Sequence, residues 1–153
     1  MYTRRSWFLA ALGGSATLLM TQKLAGSAAK KPEIRVFKRH FSRCCDSWMA
    51  HLKDNGFSVI EAPVKDLGAV KADYEIPPEL RACHTAVVSG YIVEGHVPAD
   101  LIHKLLNERR LVAGIAVAGD PAGAPGNERA GEKQPYRVVL FERSGKITTY
   151  AQR

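Results

Sequence analysis

From Glu33 to Phe37 apolar and polar residues alternate, the period-two signature of a half-buried strand. A polar stretch, Lys38 to Arg43, leads to two adjacent cysteines, Cys44 and Cys45. From Asp46 the period changes. Trp48, Met49 and Leu52 fall on one helical face, and Asn55-Gly56 supplies a helix stop. Phe57 to Ile60 reads as a second strand, so the first three elements predict a parallel pair joined by a right-handed crossover. A short second helix is predicted over Val64 to Ala72, and Ile76-Pro77-Pro78 breaks the pattern before one helical turn at Glu79 to Ala82. Thr85 to Ser89 and Tyr91 to Glu94, flanking Gly90, predict strand, tight turn, strand. Pro98 opens the clearest helix, with Leu101, Ile102, Leu105 and Leu106 as its core stripe.

Residues 114–135 then lose all periodicity. Five glycines and three prolines predict a long irregular loop, a feature that in a compact domain points to function or disorder. Arg137 to Phe141 and Ile147 to Tyr150, around Ser144-Gly145, predict a closing hairpin. The order strand, cysteine loop, helix, strand, helix, hairpin, helix is that of an α/β domain of thioredoxin-like layout, extended by a C-terminal glycine/proline-rich loop and β-hairpin.

The first 29 residues stand apart. Arg4-Arg5 precedes an apolar run from Trp7 to Met20, too short to span a bilayer, and small residues follow from Ala25 to Ala29. This predicts a cleaved twin-arginine-type export signal over 1–29, a mature domain over 30–153, and residence in a bacterial periplasm without membrane attachment after cleavage. The signal carries Arg4, Arg5 and Lys23 and no acid; 22 basic residues less these three leave 19 against 15 acidic, a net charge near +4. The basic residues are scattered, which argues against nucleic acid as a partner.

Three cysteines in an oxidising compartment are an odd number for structural stapling. Cys44 and Cys45 sit where a helix begins, a place that lowers thiol pKa values. With no residue between them, they lack the spacer of a redox pair, and a disulfide between neighbours is strained. Close thiolates suit soft ions, Cu(I) first and Zn(II) second. Cys83-His84, after the proline turn, adds a thiol and an imidazole, and the predicted layout brings its loop toward the first helix. The candidate metal ligands are therefore Cys44, Cys45, Cys83 and His84, with His40 a further donor. His96 is assigned to orienting the turn before Pro98, Met49 to the core, and His51 and His103 no function. The sequence has no phosphate-binding loop, nucleophile elbow or Ser–His–Asp order, so no enzyme activity is expected.

Arg43-Cys44-Cys45-Asp46-Ser47-Trp48, Pro78-Glu79-Leu80, Cys83-His84-Thr85-Ala86, Gly90-Tyr91, Glu94 to Pro98 and Gly114 to Val117 together resemble the DUF411 family of small exported proteins. The resemblance spans nearly all of residues 30–153. It implies a thioredoxin-like fold, periplasmic copper handling and resistance, and clustered cysteines acting as Cu(I) ligands. The chain departs from the family pattern at three places. Ser42 stands where the family's Cys-x-Cys-Cys motif begins, and Asp120 and Asn127 stand where methionines are common. The leading expectation is an exported, non-enzymatic Cu(I)-binding protein that sequesters copper or passes it to other periplasmic copper-handling proteins. A thiol–disulfide redox protein, with Cys83 as resolving thiol, and a degenerate member with a structural or partner-binding role are the alternatives.

Overall fold

A computed structural model describes residues 30–153, so the export-signal reading of 1–29 lies outside the described residues. The order is β1 (Glu33–Lys38), α1 (Arg43–Asp54), β2 (Ser58–Pro63), α2 (Leu67–Asp73), a 3-10 turn (Pro78–Leu80), β3 (His84–Val88), β4 (Tyr91–Glu94), α3 (Ala99–Glu108), β5 (Gly114–Ala116), β6 (Arg137–Phe141) and β7 (Ile147–Gln152). All seven strands join one mixed sheet in the order β2-β1-β3-β4-β5-β6-β7. The expected parallel β1–β2 pair is present, and β3–β4 forms the expected antiparallel hairpin around Gly90. Among the described residues no helix is long and apolar enough to cross a membrane.

Strand alternation divides the core between the two sheet faces. Ile34, Val36, Ala86, Val93, Ile115, Val138 and Leu140 meet Trp48, Met49 and Leu52 of α1 and Leu101, Ile102 and Leu105 of α3. On the other face Ile92, Ala116, Val139 and Phe141 pack with Ile76 and Leu80 around the 3-10 turn. Met49 is thus a core residue, as its helical spacing implied.

One expectation needs correction. The irregular stretch predicted from residue 114 begins later, because Gly114-Ile115-Ala116 pairs with β4 on one side and β6 on the other. A three-residue strand buried at every position has no alternation to read. Residues 117–136 hold turns and one isolated bridge, Arg129 to Glu132.

The registers decide where the site lies. Lys38 at the end of β1 faces His84 at the start of β3, and Thr85 faces Glu94 at the end of β4. Glu94 in turn pairs with Ala116, the last residue of β5. The β1–α1, 3-10–β3, β4–α3 and β5–β6 connections therefore converge at one end of the sheet.

Candidate metal centre

Helix α1 begins unusually. Ser42 occupies its N-cap in extended conformation, yet its hydroxyl caps no backbone N–H. It donates instead to Cys45 Sγ at 3.0 Å and lies 3.5 Å from Cys44 Sγ. Both cysteines occupy the first turn. Cys45 belongs to the buried stripe with Trp48, Met49 and Leu52, and Cys44 is half-buried beside it.

From the next connection Cys83 reaches both. Its Sγ lies 3.7 Å from Cys44 Sγ and 3.5 Å from Cys45 Sγ, and all three thiols are free. A single metal ion bonded to sulfur at about 2.3 Å holds its thiolates about 3.8 Å apart in tetrahedral geometry and about 4.0 Å apart in trigonal geometry. The two sulfur separations are therefore within a few tenths of an ångström of a shared-ion arrangement.

Two imidazoles complete the cluster. His84 Nδ1 lies 3.1 Å from Cys83 Sγ, and His96 Nε2 lies 3.1 Å from the same sulfur. Both histidines are fully buried. The rings of Trp48 and His84 lie 4.2 Å apart, and His96 meets His84 edge-on at 5.0 Å. His96 Nδ1 sits 2.7 Å from Pro125 O. A carbonyl can only accept, so Nδ1 carries the proton and Nε2 presents its lone pair to the sulfurs. This carbonyl orientation is the usual support of a metal-bound histidine. His84 turns Nδ1 toward the sulfur, and its Nε2 is buried without a hydrogen-bond partner among the described residues. Two ligand sets result: Cys44, Cys83 and His96, and Cys45, Cys83 and His84, each with its donor atoms within 4.8 Å of one another.

The irregular chain after β5 closes over this end. Gly126 has φ +82°, and a Cβ there would stand 2.5 Å from Trp48 N and 2.9 Å from Cys44 O. Only glycine lets the loop rest on the cysteine-bearing turn. Asp120 Oδ1 stands 3.6 Å from His96 Nε2, while Asn127 donates to the carbonyls of Asp120 and Pro121 and so shapes the loop.

The electrostatics divide the thiols. A hydrogen bond from the Cys83 thiol holds the Cys45 pKa down to about 4, helped by His84 and Ser42 and opposed by burial. Cys83 is pushed far above the usual thiol range, because it donates to Cys45, is buried, and faces Asp120. The coupling of the two thiols thus favours ionisation of Cys45 before Cys83. Burial, with His84 nearby, lowers the His96 pKa below 6.5, so its imidazole is neutral and able to ligate.

The structure brings Cys44, Cys45, Cys83 and His84 together, and leaves His40 exposed on the wall of an adjoining cavity of about 620 Å³ that Cys83 also lines. His51 accepts from Ala99 N at 3.1 Å, and His103 bonds Asn55 O; neither approaches the sulfurs. The reading of His96 as a turn-orienting residue missed its part in the cluster. The hairpin held the signal, since extending the register one pair beyond His84 and Gly95 sets Cys83 opposite His96.

Residues 80–127 match the family model described as "Protein of unknown function, DUF411". Two solved structures named "Copper resistance protein copG", forms 2 and 1, share 40% sequence identity with this chain, with TM-scores of 0.77 and 0.76. Each comparison covers 80% of this chain and 98% of the other. No curated protein sequence matches the chain.

Proposed function

The chain belongs to the DUF411 family, and we propose that it is an exported, non-enzymatic copper-binding protein that holds Cu(I) at Cys44, Cys45 and Cys83 with His84 and His96 as nitrogen donors. One observation carries the proposal: the adjacent sulfurs of Cys44 and Cys45 lie 3.7 and 3.5 Å from that of Cys83, which is 38 or more residues away in sequence. Relatives named for copper resistance support copper over other soft-ligand ions. The donor set agrees, since thiolate with neutral imidazole favours Cu(I), with Zn(II) as its competitor.

Chemically, the Cys45 thiolate is the ready first ligand. Cys83 must lose its proton for the ion to bind, so loading and release are coupled to proton transfer at that sulfur. Bonds to several exchangeable thiolates allow copper to be sequestered or passed on stepwise to another periplasmic copper-handling protein. We read the β1-α1-β2-α2-β3-β4-α3 portion as thioredoxin-like, with the cysteines at the first helix start, and the periplasm as its compartment.

Anaerobic titration of reduced residues 30–153 with Cu(I) against a chromogenic chelator tests this. Tight, saturable binding that Cys45→Ser and Cys83→Ser each weaken is the expected result. Failure to compete, or affinity unchanged in both variants, would overturn it. The 3.5 Å approach of Cys83 to a depressed-pKa Cys45 also favours a redox reading, in which these two form a disulfide. Disulfide-exchange activity in metal-free protein would support that reading instead.

A further inference from the structure

Behind the sulfurs lies a buried charge pair that touches no candidate ligand atom. Glu94 and Lys71 are 0% and 6% exposed. Glu94 Oε1 accepts from Lys71 Nζ at 2.5 Å and from Ala82 N at 2.7 Å, while Oε2 accepts from Thr85 Oγ1 at 2.7 Å. Lys71 Nζ also donates to Thr85 Oγ1 at 2.9 Å. Ala82 immediately precedes Cys83, and Thr85 immediately follows His84. The carboxylate thus grips the Cys83-His84 dipeptide at both ends. The next residues continue the grip: Gly95 N donates to His84 O at 3.2 Å, and His96 Nε2 meets Cys83 Sγ. Gly95 has φ +73°, and a Cβ there would stand 2.3 Å from Val117 O and 2.8 Å from Ala82 Cβ, so the segments are in close contact.

A buried ion pair is a poor source of stability, because desolvating both charges cancels most of their attraction, and an apolar pair of similar size serves as well. What the Glu94–Lys71 pair supplies is direction: a backbone N–H and a hydroxyl on either side of two ligands are fixed to one carboxylate.

Resting on the copper-binding reading above, we propose that Glu94 is a positioning residue for the metal centre, with Lys71 as its counter-ion. Together they set the Cys83 thiol and His84 imidazole in binding geometry before the ion arrives. Support of metal ligands at one remove commonly changes affinity 10- to 100-fold. Glu94 acts through Ala82 and Thr85, one step further out.

The test uses residues 30–153 with two changes. Lys71→Met/Glu94→Leu removes both charges while keeping bulk, and Thr85→Val removes one grip while keeping shape. The expected double variant is folded, binds Cu(I) about tenfold more weakly, and shows fewer sulfur neighbours around copper by X-ray absorption. Thr85→Val shows a smaller loss of the same sign. In metal-free protein, amide exchange of residues 82–85 rises in both variants while that of β6 does not. Unchanged affinity and coordination in a folded double variant would overturn the proposal, as would unchanged 82–85 exchange. If the double variant does not fold, Thr85→Val decides alone. If the unaltered protein binds no Cu(I), the functional reading fails and the exchange measurement still decides the positioning claim.

Discussion

Replacing Ser42 with alanine isolates an interaction between a helix cap and a thiolate. A serine at this position ordinarily stabilises its helix by about 1 kcal/mol through a side-chain bond to a backbone N–H, whatever the pH. Ser42 makes no such bond; its hydroxyl donates to Cys45 Sγ at 3.0 Å. Losing a lesser donor than Cys83 raises the Cys45 pKa from about 4 by about one unit, equivalent to about 1.4 kcal/mol. The sign follows from the depressed value. A thiol whose folded pKa lies below its unfolded one gives stability that is full above the unfolded value of 9.0 and is lost as pH falls through about 4. The variant's deficit is therefore present at neutral pH and disappears below about 4. The assay is paired: the Cys45 Cβ resonance followed across pH by NMR, and urea unfolding at neutral and acid pH. A deficit equal at both pH values would mean the hydroxyl is an ordinary cap. An unmoved Cys45 titration would refute the thiolate hydrogen bond itself.

Three further outcomes follow from the same geometry. Cu(I) loading at pH 7 releases fewer protons than the number of sulfurs bound, because Cys45 is already ionised. Calorimetry in buffers of different ionisation enthalpy counts them, and one proton for every bound sulfur would contradict an ionised Cys45. His96→Asn lowers Cu(I) affinity by about tenfold or more in chelator competition, and an unchanged value would remove His96 from the ligand set. Gly126→Ala forces a Cβ against Trp48 N at positive φ and destabilises the fold by about 2 kcal/mol or more, seen as a lower thermal midpoint. An unaltered midpoint would show that the loop does not rest on α1.

Much of the architecture was legible because its signals are local. The alternation in Glu33 to Phe37, the Asn55-Gly56 stop and the Pro98 start each act within a few residues, and each corresponds to an element boundary within a few positions. β5 was hidden because Gly114-Ile115-Ala116 is buried on both faces and opens a glycine-rich stretch. At the site, the cysteines announced themselves by type and by position at a helix start. His96 and Glu94 did not, since their relation to Cys83 and Ala82 comes from the β3–β4 register. Glu94 reads in the sequence as the polar end of a strand. Only the fold shows its carboxylate fully enclosed by Lys71, Thr85 and Ala82. The departures Ser42 and Asn127 took structural parts: a hydrogen bond to sulfur and a loop tie.

X-ray absorption of the Cu(I)-loaded, reduced domain reads the copper ligands themselves. A first shell of sulfurs near 2.3 Å with a nitrogen contribution is expected, losing sulfur in Cys83→Ser. A shell of light atoms alone, or a sulfur shell indifferent to Cys83, would contradict this expectation.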